Sequence, residues 1–369
     1  MPSCSVKFGK SSHPDPAQAV AELARQIKQG KDATLIFFCH PKFNLEVLGR
    51  AIRAEFDGPA FGCTTAGEIT SEVGYTHDML IGATISSEGL KTNLLFIPSL
   101  KDFVKDPNPP VLDPLKVADA KKSFCLFLID GLSMLEEKVV ATINSHLRGI
   151  PLIGGSAGDN LTFTHTHVYH NGAFHENAAV VAHFQTDLPF KPFRIQHFDP
   201  TDVKLVITRA DGPSRTVCEI NGEPAAEEYA RIVGTTVDKL SPTIFAANPV
   251  MLKIGGDYFV RSIASITPEG SIKFLCAIDE GLVLTMGRPS DMTKNLKENL
   301  QKVAADVPNL KFIFGCDCIL RRIELQEKQL LKEARAVLEH FPFFGFSTYG
   351  EQYGGVHVNQ TLTLLALGA

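Results

Sequence analysis

One order of segments recurs along this chain: a buried strand, a helix, a turn of small residues and a closing strand. It appears three times, and in the first copy the four segments are 34–39, 45–56, FGCTTAGE from Phe61 and 79–85. In the second copy they are 124–129, the helix with Val139, Val140 and Ile143, IGGSAGDN from Ile153 and 178–184. In the third copy they are 311–315, 323–340, FGFSTYGEQ from Phe344 and TLTLLAL from Thr361. Buried strands that alternate with helices predict mixed β-sheets flanked by helices, an α/β (α+β) fold built by duplication.

Between residues 193 and 280 the pattern changes to short strands separated by Gly and Pro turns. The runs are RIQHF, VKLVITRA, SRTVCEINGE, DYFVRSIASIT and SIKFLCAI,. Within this segment Pro224 opens a helical stretch, AAEEYARIVG, that Gly234 ends,. We therefore predict two tandem domains, residues 1–235 and 236–369.

The length and the charge balance limit the classes of protein that this chain can represent. A chain of 369 residues with 44% hydrophobic and 21% charged residues is globular and long enough for two domains,. Lys and Arg number 36 against 41 Asp and Glu, for a net charge of −5. Such a balance gives no broad basic surface, so we do not expect a nucleic-acid partner.

The chain shows no targeting or membrane segment in its sequence pattern. The first ten residues, MPSCSVKFGK, lack the apolar region of a signal peptide, and no apolar run approaches the roughly 20 residues that span a bilayer,. The eight cysteines are scattered, mostly within apolar strand-like runs, which is typical of free thiols in a reducing compartment,. These features predict a cytoplasmic protein without a membrane partner.

The three turns are the first candidate for a ligand site. Each follows a strand-like run and groups Gly, Ser, Thr and Ala, so that backbone N–H groups and hydroxyls can face a ligand. None matches a phosphate-binding fingerprint. The predicted ligand-binding residues are Cys63, Thr64, Gly155, Ser156, Thr348 and Glu351. The alternative is that the turns only close tightly packed sheet ends.

A further alternative is an enzyme with Cys63 as its nucleophile. Such an enzyme needs a positioned base, and FGCTTAGE contains no histidine,. The corresponding positions of the other turns are Gly155 and Phe346, so the repeat does not preserve a catalytic thiol. We therefore expect a binding protein and not an enzyme.

Two histidines fall on apolar strand faces. At a period of two, His197 lies on the apolar face of FRIQHF and His183 on that of AAVVAHF,. A core histidine is the simpler interpretation of each. A Phe-rich interior with one imidazole is also the environment of a non-covalently bound haem, and the chain has 25 Phe and no Trp,. The residues alone leave both alternatives open.

Two other groups of residues have competing interpretations. Arg321 and Arg322 can clamp a carboxylate or a haem propionate, or they can form a surface pair with the glutamates that follow them,. The run HTHVYHNGAFH places His165 and His167 two residues apart, as metal ligands can be, but without a nearby Cys or carboxylate pattern,. We expect a solvated His-rich hairpin there and not a zinc site.

Four stretches together resemble the FIST proteins: FGCTTAGEI, IGGSAGD, VCEINGEPAAEEYARIVG and FGFSTYGEQYGG. The resemblance covers about residues 33–367 and implies N- and C-terminal FIST domains in tandem, in a sensory protein that binds a gas or a small molecule. PFRIQHFDPTDVKLVIT from Pro192, CDCILRR from Cys316 and the absence of Trp are similar to the subset called NosP proteins, which bind haem and report nitric oxide.

For this chain, the resemblance implies haem b as cofactor and a histidine kinase or a cyclic-di-GMP enzyme as partner. A homodimer is one further expected state. We expect His197 to ligate the haem iron, with His183 as the second candidate. Arg321, Arg322 and Cys316 are the other predicted cofactor-binding residues. The alternative is a FIST protein without haem that recognises an amino acid or a similar metabolite through its turns.

Overall fold

A computed structural model of the chain describes residues 4–116 and 118–369. The chain forms two compact units: the first consists of residues 1–195, 296–357 and 362–369, and the second of residues 196–295 and 358–361. In sequence, the second unit therefore consists of two insertions into the first, one long and one of four residues. The domain boundary predicted between residues 235 and 236 was based on the sequence pattern, whereas the two units are defined by their compactness. The predicted boundary therefore stays a prediction.

The first copy of the repeat begins the first unit. Its elements are β1 (Cys4–Ser11), α1 (Pro16–Ile27), β2 (Thr34–Cys39), α2 (Leu45–Glu55), β3 (Ala60–Thr64), β4 (Glu68–Thr70), β5 (Gly74–Thr76) and β6 (Leu80–Ser87). Both helices start at a capping side chain, because Asp15 accepts the N–H of Gln18 at 2.8 Å and Asn44 accepts that of Val47 at 3.1 Å. Such caps satisfy N–H groups that a first helical turn leaves unpaired.

The second copy repeats this order, with two short helices in the place of α1. Its elements are β7 (Lys91–Ile97), α3 (Leu100–Phe103), α4 (Asp113–Lys116), β8 (Ser123–Ile129), α5 (Glu136–Leu147), β9 (Leu152–Ser156), β10 (Val168–His170), β11 (Ala173–His175) and β12 (Ala179–Gln185). Every residue of β8 is buried, as its apolar run predicts,.

The third copy starts with β13 (Phe190–Ile195), after which the chain enters the second compact unit. The elements of that unit are β14 (Phe198–Asp211), β15 (Thr216–Ile220), β16 (Glu223–Pro224), α6 (Ala225–Ile232), α7 (Pro242–Ala247), β17 (Val250–Ile254), β18 (Asp257–Arg261), β19 (Ile263–Ile266), β20 (Ile272–Phe274) and β21 (Val283–Pro289). They form an antiparallel sheet in the order β18-β17-β21-β14-β15-β20-β19, and Tyr229 and Phe245 of the helices pack on its core.

The third copy then resumes. It continues with α8 (Met292–Asp306), β22 (Phe312–Cys318), α9 (Ile319–Glu327), α10 (Leu331–Leu338), β23 (Phe343–Thr348), β24 (Glu351–Tyr353), β25 (Val356–Val358) and β26 (Leu362–Leu367). The repeated mixed sheets with flanking helices confirm the predicted fold class.

The three copies exchange hairpins in a cycle. The sheets have the same order: β1-β6-β2-β3-β10-β11, β7-β12-β8-β9-β24-β25 and β13-β26-β22-β23-β4-β5. In each sheet, four strands of one copy are extended by a hairpin that another copy donates. The second copy donates to the first, the third to the second, and the first to the third. The pairs β2–β3, β8–β9 and β22–β23 are parallel, so each turn leaves the carboxyl end of a parallel pair.

The inner faces of these three sheets share one hydrophobic core. Phenylalanines from all three copies meet there, and Phe38 stacks on Phe346 with ring centroids 4.2 Å apart, while Phe124 stacks on Phe184 at 4.7 Å. Separate clusters lie between the outer faces and the helices of the first and second copies. Many of the phenylalanines therefore pack against one another in the closed interior of the first unit.

Two sequence-based expectations about elements are wrong. The helix predicted over residues 323–340 is two helices, α9 and α10, because Gln329 has a φ of +58°, which a helix cannot continue through,. RIQHF is not one strand, because β13 ends at Ile195 and β14 begins at Phe198. His197 therefore lies between two strands, and the argument that placed it on a strand face does not hold. No helix among the described residues has the length and apolar character to cross a membrane.

Candidate functional site

The three turns meet inside the first unit and are joined through their backbones. Gly158 N–H donates to the Thr64 carbonyl at 3.0 Å, Ala66 N–H to Ser347 O at 3.0 Å, and Ser156 N–H to Gly350 O at 2.8 Å. The predicted residues Cys63, Thr64, Ser156, Thr348 and Glu351 are all 0% exposed. The structure therefore brings the predicted ligand-binding residues together, but in a closed joint.

Close packing surrounds Gly155 at this joint. A Cβ added to Gly155 would lie 2.6 Å from Thr348 Cγ2 and 3.0 Å from Cys316 Sγ. The Gln352 side-chain amide donates to Ser156 Oγ at 3.0 Å. This packing is compatible with the alternative of tightly packed sheet ends, and the assignment of these residues to a ligand site stays a prediction.

Two turns carry the same buried hydroxyl–carboxyl pair. Thr65 Oγ1 donates to Glu68 Oε1 at 2.7 Å, and Thr348 Oγ1 donates to Glu351 Oε1. Burial raises the pKa of Glu68 to about 8, although the hydrogen bond from Thr65 and the charge of Arg322 oppose this shift. Glu68 is therefore largely protonated at neutral pH, and it adds little negative charge to the joint.

The acid of the second turn has the opposite character. Asp159 accepts the N–H groups of Phe163 at 2.9 Å and His165 at 3.0 Å, and the hydroxyl of Tyr349. Burial alone would raise its pKa, but the hydrogen bonds, with that from Tyr349 the largest, lower the pKa to about 2. Asp159 is thus an anion whose oxygens are occupied in holding the loop that follows it.

The thiols of the core do not have the properties of a nucleophile. Cys63 and Cys316 are 0% exposed, and burial raises the pKa of each well above its usual range. Since the thiolate is the reactive form of cysteine, the environment of Cys63 disfavours the cysteine-dependent enzyme.

The two predicted arginines are already engaged. Arg321 is 1% exposed, and its Nε donates to Asp317 Oδ1 at 2.6 Å, while Tyr75 donates to the other oxygen of that carboxylate. Arg322 donates to the carbonyl oxygen of Ala66, in the first turn. Both guanidinium groups therefore serve contacts within the first unit.

The two predicted haem ligands belong to different compact units. His197 is in the second unit, 0% exposed, with its ring 4.0 Å from that of Phe198, and its carbonyl accepts the N–H of Ser290 at 2.8 Å. His183 is in β12 of the first unit and 1% exposed. Neither ring nitrogen of His183 has a hydrogen-bond partner among the described residues, and burial lowers its pKa.

As a group, the predicted haem residues do not fit haem in this conformation. A ligand of drug size takes a cavity of about 300–1,000 Å³, and haem is larger than most such ligands. Two cavities of the first unit have volumes of about 200 and 280 Å³, and none of the predicted haem residues lines either of them. His183 taken alone is the exception, because a neutral, unpartnered imidazole is the form that binds iron.

The His-rich run forms the predicted hairpin, β10–β11, although His165 and His167 precede its first strand. Both rings approach Glu176 Oε1, His165 Nδ1 at 2.8 Å and His167 Nε2 at 3.2 Å. Over residues 4–116 and 118–369, no group of three His, Cys, Asp or Glu side chains is arranged to hold a metal ion.

The sequence did not point to either cavity. The first lies where α2 of the first copy meets the β10–β11 hairpin of the second, and the second lies between α8 and α10. The first is lined by Arg53, Phe56, Gly58, Pro59, Ala60, Leu94, Tyr169, His170 and Asn171. The second is lined by Lys297, Gln301, Ala336, Val337, His340 and Phe341. For the first cavity, the sequence showed only the Asn-Gly turn in HTHVYHNGAFH, whose Asn171 is among the lining residues.

Comparisons with known proteins place two family domains on the chain. Residues 33–223 match the model described as the FIST N domain, and residues 225–354 match that of the FIST C domain. A search of curated proteins gave no match.

Proposed function

Because this chain belongs to the FIST family of sensory proteins, we propose that it binds a small molecule and reports that molecule to a signalling partner. The observation that carries the proposal is the match to both FIST domains, which together span residues 33–354. The buried, protonated Cys63 thiol supports binding over catalysis,.

A panel of small carboxylates, amides, amines and amino acids tests ligand binding. A ligand that binds only the folded protein at 100 times its dissociation constant adds about 2.7 kcal/mol of stability, so at least one compound is expected to raise the melting temperature. The compound should be recovered unchanged after incubation with the protein. A panel without any stabilising compound would contradict the proposal, and consumption of the compound would indicate an enzyme.

The proposed partner is a histidine kinase or a cyclic-di-GMP enzyme. For the ligand to act as a signal, it must bind one conformation more tightly than another, and the partner must distinguish the two. The measurement is the affinity of the purified partner for the ligand-free and the ligand-saturated protein. Equal affinities would contradict a signalling role for that ligand.

A haem-based sensor of nitric oxide is the second candidate, and the unpartnered imidazole of His183 favours it. The test is the visible spectrum of protein produced with a supply of haem. A stoichiometric Soret band that shifts with nitric oxide and is lost in His183→Ala or His197→Ala, but is kept in the exposed control His77→Ala, would support it. A colourless protein that does not take up added haemin would overturn it.

A further inference from the structure

The first cavity lies at one of three equivalent junctions of the first unit. At each junction, the turn of a donated hairpin approaches the helix of the receiving copy. A Cβ added to Gly74 would lie 2.8 Å from Arg335 of α10, and one added to Gly355 would lie 2.7 Å from Asn144 of α5. At the third junction, the nearest atom to a Cβ on Gly172 is in Arg53 of α2, at 3.4 Å. The cavity of about 200 Å³ lies at this third junction, where a Cβ added to Gly49 of α2 would lie 2.4 Å from the Gly172 carbonyl oxygen.

The walls of this cavity are apolar and fixed in place. Phe56, Pro59 and Leu94 contribute apolar surface. The ring of Tyr169 packs edge-on against Phe37, with centroids 4.9 Å apart, and it is 1% exposed. Rigid apolar walls of this kind are typical of small-molecule sites.

The polar groups around the cavity are available for a ligand. The Tyr169 hydroxyl is buried and donates to no acceptor among the described residues. Within the same part of the chain, Arg53 forms no ion pair, and the side chains of His170 and Asn171 make no hydrogen bond. The His170 ring is nevertheless held, because it stacks on Phe96 at 4.3 Å and an interplanar angle of 4°. Buried hydroxyls in proteins normally donate to an acceptor, so the Tyr169 O–H at this cavity, which accepts from the Gly172 backbone but donates to no group among the described residues, points to a missing acceptor,.

The chemistry of these groups selects the ligand. Arg53 lines the same cavity as Tyr169 and supplies a positive charge there. Burial raises the pKa of the Tyr169 hydroxyl to about 12, and the hydrogen bond from the Gly172 backbone and the charge of Arg53 oppose this shift. A guanidinium and a hydroxyl donor together suit a carboxylate, while the apolar walls suit a hydrocarbon group. The nearest acid along α2, Glu55, lies 3.6 Å from Lys28 and so has a cation of its own.

We propose that this cavity binds a small carboxylate with an apolar or aromatic group, with Arg53 and Tyr169 holding the carboxylate. The proposal rests on the sensory function proposed above and names the chemical class of its ligand. The size is sufficient, since a cavity of about 150 Å³ in another protein accommodates benzene.

The test uses benzoate and hexanoate as probes, with benzamide as the uncharged counterpart of benzoate. Isothermal titration calorimetry on the full chain is expected to show binding of at least one carboxylate, and binding of benzamide about tenfold weaker than that of benzoate. Arg53→Gln should weaken carboxylate binding about tenfold. The matched control is Arg50→Gln on the same helix, where Arg50 is exposed and pairs with Glu46 at 3.1 Å, and it should bind as the parent protein does.

Tyr169→Phe provides a second variant that keeps the ring and its packing. It should weaken carboxylate binding several-fold without a change in the circular dichroism spectrum. The proposal is overturned if neither carboxylate binds, if Arg53→Gln and Arg50→Gln bind equally well, or if inorganic phosphate binds more tightly than benzoate. Failure here with a positive result from the wider panel would leave the sensory function standing, whereas failure of both would overturn both.

Discussion

At the scale of single residues, the joint of the first unit depends on the protonation of a buried acid. Glu68 is 0% exposed, and burial raises its pKa to about 8. Its counterpart Glu351 accepts an equivalent hydrogen bond from Thr348 in the third turn. The two turns thus repeat a hydrogen bond between a hydroxyl and a carboxyl three residues apart, and in the first turn the protonated Glu68 makes it without burying a charge,.

We predict that Glu68→Gln changes the pH dependence of stability. With a folded pKa of about 8 against the usual 4.5, Glu68 holds a proton in the native state that the unfolded state releases. The contribution of Glu68 to the free energy of unfolding therefore falls by about 1.4 kcal/mol per pH unit as pH rises from about 5 to about 8. The glutamine variant lacks this loss, so its stability relative to the parent should increase with pH.

Urea denaturation at several pH values measures the difference. The control is Glu88→Gln, because Glu88 is exposed and its replacement should leave the pH dependence unchanged. A constant difference between Glu68→Gln and the parent across this range would show that Glu68 is ionised in the folded protein.

At the scale of elements, the turns depend on backbone conformations that only glycine adopts easily. Gly67 has a φ of +133°, and Gly350, at the corresponding position of the third turn, has a φ of +154°. Arg322 also occupies the space that a side chain at position 67 would need, because a Cβ on Gly67 would lie 1.7 Å from Arg322 Nη1. The first turn, and with it the approach of α9, therefore requires a residue without a side chain.

We predict that Gly67→Ala destabilises the protein far more than a strained glycine position with free space around it. Gly89 has a φ of +85° and nothing within 4 Å of an added Cβ, so Gly89→Ala isolates the backbone cost of about 1–2 kcal/mol. Gly67→Ala adds collisions with Arg322 Nη1 and with the Thr76 carbonyl oxygen, 2.7 Å from the added Cβ, and we expect a loss of about 3 kcal/mol or more,. Equal losses in urea denaturation would show that both Arg322 and the backbone at Thr76 move aside freely.

At the scale of the whole first unit, duplication has produced a closed cycle of three copies. Because each copy lends its hairpin to another sheet, no copy of the described chain has a complete sheet of its own. The inner faces of all three sheets then bury a single core. This arrangement ties together strands that are far apart in sequence.

The sequence predicted the parts of this arrangement that are local. Buried runs such as 34–39 and 124–129 identify strands because the pattern depends on neighbouring residues. The partner of each hairpin was not predictable, since β10 and β3 pair across about a hundred residues and no local pattern encodes that pairing. The first cavity could not be predicted from the sequence for the same reason, because its lining residues Arg53 and Tyr169 belong to different copies. The contact of Arg322 also required the structure, since only the fold places the Ala66 carbonyl beside it, whereas Asp317 and Arg321 are four residues apart in the sequence.

The cyclic exchange predicts that the first unit loses its structure as one cooperative body. Leu126 of β8 is 0% exposed in the shared core, and Leu126→Ala should lower the free energy of unfolding by about 2–5 kcal/mol,. Hydrogen exchange should then show reduced protection in β2, β8 and β22 alike, although only β8 carries the change. Leu161→Ala is the control, because Leu161 is 43% exposed and should leave protection unchanged,. Loss confined to β7, β8, β9 and β12 would mean that each sheet opens alone, in which case the donated hairpins would add contacts without coupling the copies.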